Sequence, residues 1–256
     1  MKNKKMAVAG ISLLGSIGVI STGFAGWIIS APAQQGSGTG AITADGTVVS
    51  NGTVSLGEAT YVTEGKNDAK INFAPNGKTA GEGWLTSSEG DKEDLQATVS
   101  FAATVSSEVN QLDFTAVKLT ASGTGADKFN TLITKGVIGS IPTLQSSKPS
   151  TENKSKGYIL MTADNGATLS SVTYSEADGG SASAKFIAAS NKVINVTFEI
   201  HFAWGSKFGG SNPMDHYNAN AWSAKAETEA KGYIEQLKDL GEVNFNLSFS
   251  VAAKKA

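Results

Sequence analysis

The chain has 256 residues but no cysteine, and its 21 basic residues are all lysine. Without cysteine there is no disulfide framework and no thiolate metal site, so any folded body must draw its stability from its core. Without arginine the chain lacks the bidentate fork that most nucleic-acid binders use, and 23 acidic residues outnumber the lysines, so nucleic acid is excluded as an expected partner. Two histidines are too few for a histidine-built zinc site, and neither belongs to an H-E-x-x-H pattern. No G-x-S-x-G elbow or S-x-x-K pair hints at a serine hydrolase, and Gly179-Gly180 and Gly209-Gly210 lack the following Lys-Ser or Lys-Thr of a phosphate loop. Five prolines against 29 glycines favour many turns between strands over a proline-rich stalk.

Long apolar runs are scarce, with one exception at the start. Lys2, Lys4 and Lys5 precede an apolar stretch over 6–29, and no further charge occurs before Asp45. A basic start, an apolar run and small residues after it describe an export signal, with cleavage after Ala25 or Ala33, or a retained membrane anchor. Cleavage after Ala33 removes three lysines and leaves 18 against 23 acidic residues. Residues 1–33 are therefore expected to be a signal peptide or anchor helix, 34–41 (QQGSGTGA) a flexible spacer, and 42–256 a single domain.

That domain reads as mainly β. Residues 192–204 (KVINVTFEIHFAW) place Ile194, Val196, Phe198, Ile200, Phe202 and Trp204 on every second position, the period of a strand with one buried face. Val243, Phe245, Leu247, Phe249 and Val251 repeat the pattern near the end of the chain, and the two strands are expected to pair at the middle of a sheet. Alternation also marks 95–105. Leu112, Phe114 and Ala116 begin another strand, and the switch of parity to Val117 and Leu119 predicts a bulge or burial of both faces. Asp45-Gly46 and Asn51-Gly52 predict tight turns between short N-terminal strands, and Asp164-Asn165-Gly166 predicts a hairpin joining 157–162 to 168–174. A further strand is expected over 182–189, after Asp178-Gly179-Gly180. Pro142 assigns the apolar segment 137–144 to a sheet edge, and the polar stretch 145–156 reads as a loop within one domain. Two helices are expected: a short one over 126–133, and a crossover over 222–240 with Trp222, Ala226, Ala230, Ile234, Leu237 and Leu240 on one face and Gly241 as its C-terminal cap.

Residues able to carry chemistry do not converge in the sequence. Glu199, His201, Asp215 and His216 are the one set that a metal or acid–base site would draw on, and the expectation is a surface histidine and a loop histidine instead. The carboxylates Asp91, Glu93 and Asp94 belong to a hydrophilic run over 87–94. Trp84, Trp204, Trp222 and Tyr217 offer flat rings for sugar stacking, but Trp204 and Trp222 continue apolar faces and are expected in the core. No catalytic, cofactor or metal residue is assigned.

The strand ending FEIHF (198–202) and the final NFNLSFSVAA (244–253) resemble the closing strands of the TasA and camelysin family of secreted Gram-positive surface proteins. The likeness covers residues 192–202 and 241–253; where that family has an aromatic-acidic start to the mature chain, this one has Gly26-Trp27-Ile28-Ile29 and a spacer. The resemblance implies a jelly-roll-like antiparallel β-sandwich acting as a non-enzymatic, extracellular structural subunit of surface fibres or biofilm matrix. Its expected partners are copies of itself or other surface proteins, with the membrane touched only through the N-terminal segment. In such fibres an N-terminal strand of one subunit can complete the sheet of the next, and 41–50 is the candidate donor, so removing 34–50 is expected to leave folded, non-polymerising monomers. The metalloprotease activity attributed to camelysin-like proteins is not carried over, because no ligand set is present. The alternative reading is a secreted ligand- or carbohydrate-binding β-sandwich module.

Overall fold

In the computed structural model the described residues are 17–19, 28–30, 39–48, 54–63, 70–72, 95–106, 109–150, 154–164, 167–175, 181–187, 193–210, 228–229, 232–233, 236–237, 240 and 242–255. The protein is mainly β. In chain order its strands are β1 (Ile17–Val19), β2 (Ile28–Ser30), β3 (Thr39–Val48), β4 (Val54–Leu56), β5 (Thr60–Thr63), β6 (Lys70–Asn72), β7 (Leu95–Val105), β8 (Val109–Ser122), β9 (Ser140–Leu144), β10 (Lys156–Ala163), β11 (Thr168–Ser175), β12 (Ser181–Ile187), β13 (Val193–Phe202) and β14 (Glu242–Lys255). A helix, α1 (Ala126–Thr134), stands between β8 and β9.

Two six-stranded sheets carry the body: one ordered β4-β7-β13-β10-β9, with β5 also on β7, the other ordered β11-β12-β8-β14-β3-β6. Both are mixed, which corrects the expectation of purely antiparallel sheets: β9 runs parallel to β10, and β3 runs parallel to β14 over ten residue pairs. Parallel neighbours need a crossover of roughly a dozen residues. That requirement accounts for the polar stretch 145–155 between β9 and β10.

The two strands expected to pair do not. β13 lies between β7 and β10 in one sheet, and β14 lies between β8 and β3 in the other. Period-two alternation defines a buried face but not a neighbour, and here the two buried faces meet across a shared interior. Phe198 and Phe249 lie 5.2 Å apart between ring centres, and Phe202 and Phe245 lie 5.0 Å apart. Phe101 of β7 and Phe114 of β8 join the first pair, with Phe101 stacked on Phe249 at 5.3 Å. Phe129 of α1 closes on the second, edge-on to Phe245 at 5.1 Å, so the helix seals one end of the interior.

Helix α1 ends where its sequence requires. Gly136, at φ 70°, follows the last helical turn; its N–H donates to the Ile133 carbonyl, and the Val137 N–H donates to that of Leu132. A left-handed residue in that place costs glycine little and satisfies two carbonyls that the helix would otherwise leave open. Of the predicted crossover helix, Thr228, Glu229, Gly232, Tyr233, Gln236 and Leu237 are described and helical, and Leu237 and Leu240 are buried as the periodicity predicts. Trp222, Ala226, Ala230, Ile234 and Gly241 lie outside the described residues.

Local turn signals fared less well than periodicity. Asp45-Gly46 sits inside β3, opposite Ser248 and Phe249, because ten consecutive ladder positions on β14 outweigh the preference of one dipeptide for a turn. Pairing also begins at Thr39, so the last three residues of the expected spacer belong to β3. β10 and β11 do not form a hairpin: they belong to different sheets, and between them the Ala167 N–H donates to the Asp164 carbonyl at 3.1 Å. β11 instead pairs with β12. Asn51-Gly52, the 87–94 loop and Asp178-Gly179-Gly180 lie outside the described residues. Within the expected signal or anchor helix the described residues form the antiparallel pair β1 and β2, consistent with the β-branched Ile17, Val19, Ile28 and Ile29. No helix among the described residues is long and apolar enough to cross a membrane.

The parity switch in β8 is a bulge. The register against β14 slips between Lys118 and Thr115, and Ala116 has φ 53°. Phe114 and Val117 can thereby both face the core, each nearly inaccessible to solvent. A non-glycine residue there is strained by about 1–2 kcal/mol. Ala116→Gly should therefore raise stability by about 0.5 kcal/mol after the entropic cost of glycine, and Ala116→Val should lower it by more than 1 kcal/mol. Urea denaturation of both variants checks this, and the same sign for both would refute a left-handed Ala116.

Candidate functional site

The residues with the greatest chemical capacity are scattered over the two sheets. His201 points away from the core on β13, yet is only 6% exposed, which corrects its assignment as a surface histidine. β13 is an inner strand, and its outer face at this end is covered: the imidazole stacks on Tyr158 of β10 at 4.3 Å and 10° between ring planes. Ala203 and Leu160 pack beside Tyr158 in a small apolar cluster. Glu199 reaches the Nε2 of His201 at 3.9 Å, too long for a hydrogen bond, and is itself partly exposed. His216 and Asp215 lie outside the described residues, as do Trp84, Trp222, Tyr217 and the carboxylates Asp91, Glu93 and Asp94. Among the described residues no group of three or more His, Asp or Glu is placed to hold a metal ion.

Trp204 is fully buried, edge-on to Phe208 at 5.6 Å, so its ring belongs to the core and not to a sugar platform. Gly209 and Gly210, both at positive φ, end the 3-10 turn Ser206–Phe208 and serve the chain reversal after β13. Two cavities are lined by described residues. One of about 290 Å³ lies between α1 and Gln236, beside Lys128 and Lys135; the other, about 220 Å³, lies under the loop after β9, among Ser146, Ser147, Ser150 and Lys156. Neither is lined by a described carboxylate.

Two carboxylates do have built surroundings. Asp113 of β8 is 7% exposed; Lys254 of β14 holds one of its oxygens at 2.6 Å and the Gln111 amide donates to the other. This contact ties the last strand to its neighbour, and nothing in the sequence marks it because Asp113 and Lys254 are 141 positions apart and sit on polar-face parities. Asp164 occupies the corner between β10 and β11. One of its oxygens accepts the Asn195 backbone N–H at 2.8 Å, the other the Asn195 side-chain amide at 2.7 Å, and its own N–H donates to the Asn195 carbonyl at 3.1 Å. The Asn195 side chain first, and its backbone N–H second, hold the Asp164 carboxyl below the usual carboxylate range. The hairpin expected at Asp164-Asn165-Gly166 does not form, and Asp164 instead fastens β13.

The sheet edges among the described residues differ in how they are covered. On the first sheet, β9 is short and carries Pro142, which donates no backbone hydrogen bond. The opposite edge is broken, since β4 and β5 pair with successive stretches of β7 and are separated by 57–59, where only the Gly57 N–H reaches across to the Ala102 carbonyl at 2.8 Å. On the second sheet, β6 covers Thr39–Ala41 of β3, and the Tyr61 hydroxyl accepts the Ala44 N–H at 3.2 Å. β11 forms the remaining edge. Compared with family models, curated proteins and solved structures, the chain matches none of them.

Acid titration tests the Asp164 corner. A carboxyl whose pKa is lowered by folding contributes stability that is present above the unfolded pKa and lost as pH falls through the folded one. Asp164→Asn should be less stable than the parent at pH 7, and the gap should close below about pH 4. Denaturation midpoints across that range decide it; a gap independent of pH would mean the charge is not what fastens the corner.

Proposed function

We propose that this protein is a non-enzymatic structural subunit, delivered outside the cell by its N-terminal segment, that assembles with copies of itself into surface fibres or matrix. In this reading its two sheets stack as a jelly-roll-like β-sandwich, and residues 1–33 act as the signal peptide or anchor. The observation that carries it is the position of β3. This first strand of the body lies parallel to β14 over ten residues, sends Ile42 into the core, and follows a glycine- and serine-rich spacer. A strand held mainly by one neighbour can be supplied by the next copy with every ladder bond and core contact kept, so exchange between chains costs little beyond association itself. Resemblance of the closing strands to the TasA and camelysin family points the same way. The buried Trp204 leaves the carbohydrate-binding alternative without its strongest described ring.

A cysteine-free chain permits a direct test. Thr47 and Ser250 are ladder partners, and Thr47→Cys with Ser250→Cys should form a bridge that locks β3 onto its own β14. Electron microscopy of the protein lacking residues 1–33, at neutral and mildly acidic pH, should show fibres for the parent and for the reduced double variant, and monomers for the oxidised one. Fibres from the locked protein would rule out strand exchange; absence of any assembly by the parent would overturn the subunit reading.

A further inference from the structure

Natural sheets protect their edges, because a row of unpaired N–H and C=O groups is a template for another strand. Three of the four edges among the described residues carry such protection: a proline and short length on β9, a break at 57–59 between β4 and β5, and on β3 the covering strand β6 with the Tyr61 hydroxyl. β11 is different. Its eight residues, TLSSVTYS, contain no charge and no proline, and its described partner is β12 alone. A register shift lies between Leu169 and Ser171, but Ser171–Ser175 pairs without interruption against 181–185, and these five residues have no second strand partner among the described residues. Ser171 is exposed and Val172 packs partly against the core, so at these two positions the strand has one wet and one anchored side.

We propose that the β11 edge is a homotypic docking surface, at which two copies pair their β11 strands antiparallel about Thr173 and join two six-stranded sheets into one of twelve. The occupant is a second copy because the segment is compatible with its own reverse: an antiparallel two-fold pairing sets Ser171 against Ser175 and Val172 against Tyr174, with no like charges opposed. Serine, threonine, valine and tyrosine at these places also suit a pleated ladder. The contact is separate from the exchange of β3, which lies at the other end of the same sheet. It extends the self-association reading but does not need fibres to form.

In the cysteine-free background, Thr173→Cys brings two thiols together at the two-fold axis, and Glu58→Cys, at an exposed position on a different edge, serves as the control. Mild oxidation of the full-length protein should convert Thr173→Cys to a disulfide-linked dimer at least tenfold faster than Glu58→Cys. Thr173→Lys, which places two positive charges at the axis, should weaken dimerisation in sedimentation equilibrium at least tenfold with an unchanged melting temperature. Equal cross-linking of the two cysteine variants, or parent-like dimerisation of Thr173→Lys, overturns the proposal. Fibres without selective cross-linking at position 173 would leave the subunit reading standing and this edge refuted; selective cross-linking without fibres would do the reverse.

Discussion

The contact between aromatic rings of opposite sheets is the constraint on which the rest of the structure depends. Phe101 and Phe198 from one sheet meet Phe114 and Phe249 from the other, and Phe202 meets Phe245 beneath Phe129. Each ring pair contributes about 0.5–1.5 kcal/mol beyond the area it removes from water, and a phenylalanine truncated in such a place costs about 3–5 kcal/mol. A chain with no disulfide has no other crosslink to lean on. The bulge at Ala116 is a consequence: β8 accepts a strained residue so that both Phe114 and Val117 can reach the interior.

The same interior fixes what is left for the surface. With both sheets' alternating faces committed inward, the polar parities carry short contacts that fasten strands, such as Lys254 to Asp113, Asn195 to Asp164 and Ser100 to Thr197 at 2.9 Å. These are fastenings between neighbours and not a convergent polar cleft. The Tyr158 and His201 stack belongs with them: two flat rings on adjacent strands fill the outer face of a sheet where a metal centre would need open coordination.

Period-two alternation made the strands themselves legible. β13 and β14 have the predicted buried residues, the short helix lies where it is expected and turns Phe129 and Leu132 inward, and Pro142 lies on an edge strand. Pairing was not legible, because the side-chain period says which face is buried and is silent about which strand lies alongside. Hence β13 and β14 face each other where they were expected side by side, and the Asp164 corner passes between sheets where a hairpin was expected. Asp45-Gly46 shows the related weakness of dipeptide signals once a long ladder competes. The burial of His201 was hidden for another reason: its parity is polar, and the ring that covers it comes from Tyr158, 43 residues earlier in the chain. The edge position of β11 among the described strands is equally invisible locally, since it is set by which strands lie alongside.

One feature of the order of strands bears on how such a molecule comes into being. The second sheet is centred on the final strand: β14 separates β8 from β3, and Thr39 finds its partner at Glu242, about two hundred residues downstream. Without β14, β3 keeps only its short pairing with β6 over Thr39–Ala41, and the core lacks Phe245 and Phe249. Contacts of such long sequence separation form slowly. A sheet of this order therefore forms only once β14 is in place between β8 and β3, and its assembly is set by the most distant pairings in the fold.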